Sequence, residues 1–393
     1  MPRRPWRDPC AVTILASASV NLFRIPTRIV YGRGVASRVA EPLAEVGAKR
    51  VLIVTDKGVR NAKLLEPIEQ ALRDAGVTYD SYDDVVPDPG VAEVDRCFAR
   101  YRESGAQAIV AVGGGSSIDT AKMAAVLATN GGSVLDYVGI DKVAKPAAPV
   151  VAVPTTAGTG AELCVNSVIA NKAEHKKLVV ISPNATPLYA LEDPLMTVGL
   201  PPFLTAITGM DTLVHAIESF VCKNAYRASE LLALEAVKYA AEALPRAVKD
   251  GKDLEARDLM MQSVIMATLA FSNTRLGNVH AMALPLGGWF DVAHGTAVAV
   301  LLPHVMAFNR DSALEKFETL AQAMGEEADA QNAVDHAFRL NEQIGIPKRL
   351  RDVGVRDDGI ERMTDDAMKS GNIAVNPRTT ERADIIALYR AAL

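Results

Sequence analysis

Residues 108–122 read AIVAVGGGSSIDTAK, a run of apolar residues followed by three glycines and a helical pattern. A short apolar run such as Ala108–Val112 is typical of a strand buried on both faces of a parallel sheet. Glycines let a ligand approach the main chain, and a helix starting there directs its free N–H groups and positive dipole end toward that ligand. The stretch predicts a strand, turn and helix, whose glycines serve either a pyrophosphate or only a tight turn.

Short β-branched runs alternate with helical patterns on both sides of this unit, from about residue 28 to residue 195. Such alternation is typical of repeated βαβ units with a parallel sheet. The predicted strands are Arg50–Thr55, Thr78–Tyr82, Ala108–Val112 and Val150–Val153, and the predicted helices are Val35–Val46, closed by Gly47, and Ala92–Glu103.

The residue pattern changes after Pro201, where Ala, Leu and Glu recur with helical period to the end of the chain. We therefore predict an α/β domain at residues 23–198, which contains the glycine turn, and an all-helical domain at 199–393. Residues 1–22 form an N-terminal extension, for which a disordered segment is favoured over a signal peptide.

Composition excludes several classes of protein. The net charge of −5 comes without any basic cluster, which argues against nucleic acid as a partner. No apolar run reaches the roughly 18–20 residues that span a bilayer, so no membrane association is expected. The four cysteines form no C-x-x-C pair, which fits a reducing, cytoplasmic compartment better than a disulfide framework.

Two further segments favour a dinucleotide over a plain turn. Asp56 follows the strand Arg50–Thr55, where its carboxylate can accept hydrogen bonds from ribose hydroxyls and repel a 2′-phosphate, which favours NAD over NADP. The alternative is that Asp56 only caps the next helix. Residues 154–160 read PTTAGTG and offer hydroxyls to a ribose or phosphate, although a polar loop would look similar.

Four side chains form a candidate metal site. Asp211 and His215 lie four residues apart in the helical run ITGMDTLVHAIESF, so both lie on one helix face. His280 lies in a helical context after Gly277, and His294 follows a turn-like stretch at Gly287–Trp289. One carboxylate and three imidazoles suit Fe²⁺ or Zn²⁺. By spacing alone, a D-x-x-x-H pair on a helix is more often a surface ion pair or a core histidine than a metal site.

Taken together, four motifs resemble the iron-containing, or group III, alcohol dehydrogenase family, and the resemblance extends from about Phe23 to the end. The motifs are GGGSSIDTAK at 113–122, PTTAGTGAE at 154–162, GMDTLVHAIESF at 209–220 and GNVHAMALPLGGWFDVAHG at 277–295. Membership would imply a metal held in an interdomain cleft, NAD as cofactor, and a homodimer or larger homo-oligomer.

The resemblance also implies a role for individual residues. The metal ligands, which are also the catalytic residues, fall on Asp211, His215, His280 and His294. The cofactor contacts fall on Asp56, Gly113, Gly114, Gly115, Ser116, Asp119, Thr155, Thr156, Thr159 and Lys177. The candidate substrate residues are Asn166, Phe271 and Arg275.

Two positions depart from the family pattern. Leu284 stands where the family commonly has a second histidine, four residues after His280, so a proton path or a cofactor contact is lost while metal binding is retained. Arg275 stands where a small or apolar residue is expected. Its guanidinium either binds a carboxylate or phosphonate on the substrate or faces a domain or subunit interface.

The expected reaction is hydride transfer between a primary alcohol, or an aldehyde in reverse, and NAD, with the metal as Lewis acid. Three alternatives stay open at this point. They are a hydroxyacid–oxoacid transhydrogenase or reductase of acidic aldehydes, which Arg275 keeps in view, a dehydroquinate-synthase-like lyase, and a metal-binding protein that Leu284 has made inactive.

Overall fold

The structure is a computed structural model, and it describes residues 21–171, 174 and 176–393. The predicted extension at residues 1–22 therefore lies almost wholly outside the described residues. The main sheet has six parallel strands in the order β1-β9-β6-β4-β2-β3. These strands are β1 (Arg28–Tyr31), β2 (Arg50–Val54), β3 (Thr78–Tyr82), β4 (Ala108–Gly113), β6 (Val150–Pro154) and β9 (Tyr189–Glu192).

Alternate residues of the central strands pack into two different cores. On β2, Val51 and Ile53 contribute to one buried cluster, and Leu52 and Val54 contribute to the other. Because both faces of the sheet are covered, the strand is apolar at nearly every position. This arrangement confirms the strands that were predicted from continuous apolar runs.

A second, three-stranded sheet was not predicted. It comprises β5 (Gly139–Ile140), β7 (Asn166–Asn171) and β8 (Lys176–Ile181) in the order β5-β8-β7. The edge strand β1 and the strand β9 were also missed. These strands carry polar residues or are only two to six residues long, so their apolar pattern is weak.

The predicted helix at Val35–Val46 is wrong as one element. The structure has a 3₁₀ turn at Val35–Arg38 and a separate helix at Ala40–Glu45. Pro42 lacks the N–H that would bond the carbonyl of Arg38, so the helical hydrogen bonding is interrupted between the two elements. Gly47 does take the left-handed conformation, with φ 68°, as expected after a helix end.

Helices of the first half cover the main sheet, and helices of the second half form a separate core. The first set is α1 (Ala40–Glu45), α2 (Lys57–Asn61), α3 (Glu66–Asp74), α4 (Val91–Ser104) and α5 (Gly115–Asn130). The second set is α6 (Pro202–Val221), α7 (Arg227–Lys249), α8 (Leu254–Phe271), α9 (Asn278–Phe290), α10 (His294–Asn309), α11 (Leu314–Ala323), α12 (Ala330–Gln343), α13 (Ile360–Ala367), α14 (Asn372–Val375) and α15 (Arg382–Ala392).

The predicted fold class is confirmed by this arrangement. An α/β half with a parallel sheet precedes a helical half in which α6, α7 and α8 pack against one another. Over the part of the chain that the structure describes, no helix is long and apolar enough to cross a membrane.

Candidate metal and cofactor site

Helix α6 is the central element of the site. Nearly every residue from Thr205 to Val221 is buried, so polar residues within it face other protein groups. Asp211, His215 and Glu218 follow at intervals of four and three residues, which places the three side chains on one face. A buried helix that carries two carboxylates and an imidazole on one face requires hydrogen-bonding or positively charged partners there.

The four predicted ligands converge on one oxygen atom. Asp211 Oδ1 lies 3.6 Å from His215 Nε2, 3.4 Å from His280 Nε2 and 3.6 Å from His294 Nε2. The imidazoles of His215 and His280 are stacked with centroids 4.6 Å apart. The side chain of His294 is 34% exposed, whereas those of the other three ligands are almost fully buried, so the site opens beside His294.

This geometry fits a divalent cation. Asp211 Oδ1 and His280 Nε2 are buried and have no hydrogen-bond partner among the described residues. Four atoms bonded to one cation at about 2.1 Å in a tetrahedron are separated by about 3.4 Å, close to the distances observed here. The ligand atoms of Asp211, His215 and His280 also lie within 4.8 Å of one another. The set can hold Fe²⁺ or Zn²⁺.

The electrostatic environment of the site favours the protonation states of Asp211 and His215 that bind a cation. Burial alone would raise the pKa of Asp211, but the neighbouring histidines outweigh burial and hold that pKa below its ordinary value. Burial, opposed by Asp211 and assisted by the other imidazoles, lowers the pKa of His215 to about 3. An ionised Asp211 and a neutral His215 are the forms that bind a cation.

Glu218 is a site residue that sequence reasoning missed. Its Oε2 lies 2.7 Å from His280 Nδ1, and its Oε1 accepts the backbone N–H of Val279 at 2.6 Å. A proton on Nδ1 that is donated to this carboxylate leaves Nε2 free for a metal. The signal was present in the sequence, because Glu218 follows Asp211 by seven residues on the same helix face.

His280 and His294 come from the next two helices of the site. His280 is the third residue of α9, whose N-cap is Gly277, and His294 is the first residue of α10. The predicted turn at Gly287–Trp289 is wrong, because α9 continues to Phe290 and the left-handed residue is Asp291, with φ 53°. A Cβ on Gly287 would lie 3.2 Å from Cε of Lys177, so this glycine leaves room for a neighbour instead of making a turn.

The triple glycine forms the predicted turn at the end of β4 and the start of α5. Gly113 has φ 153°, and a Cβ there would lie 2.5 Å from Ser117 Oγ, so a larger residue does not fit. Gly114, Gly115 and Ser116 are partly exposed at the N-terminus of α5, with helical N–H groups available to an anion.

Asp56 caps a helix, as the alternative interpretation held. Its Oδ1 accepts the N–H of Val59 at 3.0 Å at the start of α2. The other oxygen, Oδ2, lies 3.5 Å from the position of a Cβ on Gly113. Capping therefore uses one oxygen, and the second lies next to the glycine turn.

The loop at residues 154–160 joins the glycine turn to helix α6. Cβ atoms on Gly114 and Gly115 would lie 3.4 Å from Thr156 Cγ2 and 2.9 Å from Thr159 respectively. On the other side, Thr212 Oγ1 donates to the carbonyl of Ala157 at 3.1 Å. Thr155 is buried, and its N–H bonds Gly113. Because Thr212 directly follows Asp211, this contact places the loop and its cofactor candidates beside Asp211.

Two other cofactor candidates have protein partners. Asp119 is buried and accepts the N–H of Val168 at 2.9 Å, which ties α5 to β7. Lys177 forms an ion pair with Asp88 and is almost fully buried against α9. Asp119 therefore holds two elements of the fold together, and Lys177 lies beside α9, the helix that carries His280.

Phe271 contacts His215, and Asn166 contacts Cys164 of the same apolar cluster. The Phe271 ring stacks on His215 with centroids 4.4 Å apart, and it forms a small apolar cluster with Cys164 and Leu276. Asn166 begins β7, and its carbonyl accepts the Cys164 thiol at 3.4 Å. Sequence reasoning missed Cys164 and Leu276, because single apolar residues in loops give no periodic signal.

Arg275 and Leu284, the two positions that differ from the family pattern, lie in different surroundings. Arg275 is exposed and has a left-handed φ of 83°, and its guanidinium lies against Gly371. That surface position gives no support to the predicted pairing with a substrate anion. Leu284 is partly exposed, one helical turn after His280 on α9.

The fold and the site define a class of protein. A parallel sheet with a glycine turn at the carboxyl end of a strand holds a dinucleotide, and a carboxylate with three imidazoles holds a metal in the same molecule. Together these features define a metal-dependent oxidoreductase that uses a nicotinamide dinucleotide.

The chain belongs to the iron-containing alcohol dehydrogenase family. Residues 26–194 match the family described as iron-containing alcohol dehydrogenase, and residues 205–393 match the C-terminal part of the Fe-containing alcohol dehydrogenase family. The resemblance that the four motifs indicated is thus confirmed, and so is the predicted activity of an NAD-linked alcohol dehydrogenase.

Individual relatives cover almost the whole chain. It is 38% identical over 378 residues to an NAD-dependent methanol dehydrogenase of Bacillus methanolicus, which covers 94% of this chain and 99% of that protein. It is 38% identical over 379 residues to a 1,3-propanediol dehydrogenase of Klebsiella pneumoniae, covering 94% and 98%. The crystal structure of a 1,3-propanediol oxidoreductase superposes with a TM-score of 0.92 at 38% identity, covering 95% and 100%.

Proposed function

We propose that this protein oxidises small uncharged primary alcohols with NAD and reduces the corresponding aldehydes, at a site in the cleft between its two halves. The observation that carries the proposal is the convergence of three imidazole nitrogens on Asp211 Oδ1, next to the apolar cluster of Cys164, Phe271 and Leu276. Relatives that act on methanol and on 1,3-propanediol agree with a short substrate.

Each group has a distinct task in this proposal. Asp211, His215, His280 and His294 hold a divalent cation, with Fe²⁺ preferred and Zn²⁺ possible for the same ligand set. When bound, that cation supplies Lewis acidity toward the alcohol or aldehyde oxygen. Glu218 fixes the tautomer of His280. The N-terminus of α5, with Gly113 to Ser116, binds the pyrophosphate, and Asp56 Oδ2 binds the adenosine ribose.

The apolar cluster determines what the site accepts. Phe271 covers one face of the His215 ring, so a substrate that reaches the ligands contacts an aromatic ring, a thiol and a leucine. A carboxylate placed there would lose its hydration without gaining a cation partner from Arg275, which is exposed against Gly371. Short alkyl alcohols therefore fit better than hydroxy acids.

The test is an NADH-absorbance assay of the protein after removal of metal and reconstitution with Fe²⁺ or Zn²⁺. We expect turnover of 1-propanol and 1,3-propanediol, and much weaker turnover of lactate or glycolate. Asp211→Asn should lower kcat by about a thousandfold, because several kcal/mol of charge stabilisation is lost with the metal. Preference for hydroxy acids, or full activity of the metal-free protein, would refute the proposal.

Assembly and location complete the proposal. We propose a homodimer or larger homo-oligomer in the cytoplasm, where the buried free thiols of Cys97, Cys164 and Cys222 would stay reduced. Light scattering coupled to size-exclusion chromatography checks the assembly, and a mass of one chain would contradict it.

A further inference from the structure

Lys122 is a fully buried lysine that has no task in the proposed function. It lies on α5, two helical turns after the glycine turn. Its Nζ donates to the carbonyls of Ala161, Cys164 and Asn166, the first two at 2.9 and 3.1 Å. An ammonium group has three donors, so all three are used on the main chain. Because a buried charge is costly, these three carbonyls indicate what the lysine holds in place.

The partners of Lys122 lead into β7, an edge strand of the small sheet. In the order β5-β8-β7, alternate main-chain groups of β7 point away from β8. Lys122 bonds one such group, the carbonyl of Asn166, and Asp119 accepts another, the N–H of Val168, at 2.9 Å. Asp119 Oδ1 also lies 3.6 Å from Lys122 Nζ. Two side chains of α5 therefore bond main-chain groups that a neighbouring strand would otherwise bond.

Cys164 is held at both ends by this arrangement. Its carbonyl accepts from Lys122, and its thiol donates to the carbonyl of Asn166, which Lys122 also bonds. Cys164 is 5% exposed and packs in the apolar cluster with Phe271, whose ring stacks on His215. One loop thus connects the ammonium of Lys122 to the apolar cluster beside the metal ligands.

We propose that Lys122 is a positioning residue of the substrate site, because its ammonium holds the loop at residues 161–166 so that Cys164 packs on Phe271. The inference rests on the proposed function, which takes this apolar cluster as the surface that a short alcohol contacts. Without the ammonium, three buried carbonyls lose a donor, and the loop moves to find other partners. The contact that favours short alkyl alcohols is then lost.

The experiment compares the unsubstituted protein with Lys122→Met, which keeps most of the apolar stem of the side chain but has no donor. Timed labelling with N-ethylmaleimide, followed by peptide mass spectrometry, measures the accessibility of each thiol. Cys97 and Cys222 are buried elsewhere and serve as internal references in the same sample. We expect Cys164 to react at least about tenfold faster in Lys122→Met, with no change at the two references.

Steady-state kinetics supplies a second measurement. The KM for 1-propanol should rise about tenfold in Lys122→Met with kcat nearly unchanged, because the lost contact serves substrate binding and not the chemical step. The Kd for NADH and the metal affinity should not change, since the N-terminus of α5 and the four ligands keep their contacts. Lys238→Met, at an exposed lysine of α7, is the matched control and should alter none of these quantities.

Lys122→Gln keeps an N–H donor on a shorter side chain, so it should give smaller effects in the same directions. It also provides the test if Lys122→Met does not fold. Equal acceleration at all three cysteines would indicate a general loss of stability, and an unchanged Cys164 or an unchanged KM would show that Lys122 does not set the pocket. Each of these results would overturn the proposal. Failure of the proposed function is distinct, because the unsubstituted protein would then not oxidise 1-propanol.

Discussion

Glu218 shows how one residue outside the ligand set controls a ligand. It accepts hydrogen bonds from His280 and from the main chain of Val279, so its position fixes the ring that faces Asp211. Sequence reasoning identified all four converging side chains because their types and order carry the family pattern. It missed Glu218 because a glutamate in a helix is usually solvated, although its spacing of seven residues from Asp211 placed it on the same helix face.

Glu218→Gln should weaken metal binding by about 10–100-fold, since an amide cannot accept both hydrogen bonds as the carboxylate does. Competition with a chromophoric chelator measures the affinity. Glu235→Gln, on the exposed face of α7, is the control. An unchanged metal affinity in Glu218→Gln would show that His280 is held by other contacts.

Asp56 caps α2 with one oxygen and is proposed to bind the ribose with the other, and substitution can separate the two roles. Asp56→Ser keeps a side-chain cap for α2, so the free energy of unfolding should change by less than about 0.5 kcal/mol. Loss of the carboxylate should raise the Kd for NAD by about tenfold and admit NADP. Fluorescence titration with NADH and NADPH checks this. An unaltered preference for NAD would reduce Asp56 to a cap.

Gly113 tests the glycine turn. Gly113→Ala should cost more stability than Gly47→Ala and should weaken NAD binding. Both glycines have positive φ, but a Cβ at 113 meets Ser117, whereas a Cβ at 47 has nothing within 4 Å. Left-handed strain alone costs about 1–2 kcal/mol. Equal losses in the two variants, measured by urea unfolding, would mean that the space around Gly113 is not limiting.

Among the elements, strands with continuous apolar runs and long periodic helices were predictable. The structure has β2, β4, β6 and α4 within a few residues of their predicted ends. It also has β3 at its predicted bounds, although its sequence TYDSY is not apolar, and α6 begins five residues before the predicted run at 207–220. The short strands β5 and β7 depend on pairing with β8, which is a tertiary contact that no local pattern records. The misplaced turn at Gly287–Trp289 has the same origin, because Gly287 accommodates the side chain of Lys177.

The contact between the loop at 154–160 and α6 is an element-level feature with its own test. Thr212→Val removes the buried hydroxyl that donates to Ala157, so we expect a loss of about 1–2 kcal/mol in the free energy of unfolding. Thr319→Val, whose hydroxyl bonds within its own helix, is the control. If both variants unfold at the same urea concentration, the contact contributes nothing to stability.

Over the whole molecule, two buried carboxyls give folding stability a dependence on pH. Burial is the main cause that raises the pKa of Glu162 to about 7, and burial together with the charge of Glu162 raises the pKa of Glu192 well above its ordinary value. The folded protein therefore keeps protons that the unfolded chain releases above its ordinary glutamate pKa. The contribution of these two carboxyls to stability is expected to fall as the pH rises from about 4.5 toward 7, opposite in sign to that of His215, whose pKa is lowered.

Glu192→Gln should flatten this decline, because an amide keeps the shape of the neutral acid and does not ionise. Urea unfolding at pH 5, 6, 7 and 8 measures it. Glu327→Gln, on the exposed surface, should retain the original slope. A steeper decline in Glu192→Gln would show that Glu192 is ionised in the folded protein.

The three helices that present Asp211, His215, His280 and His294 lie in the second half of the chain, and the last ligand is at position 294 of 393. During synthesis, a cation cannot find its full set of donors until α10 has left the ribosome and docked on α6. If these four side chains hold the metal as proposed, we expect iron loading to be a late event in maturation. Metal-starved cells should accumulate folded protein that regains activity on adding iron, without new translation.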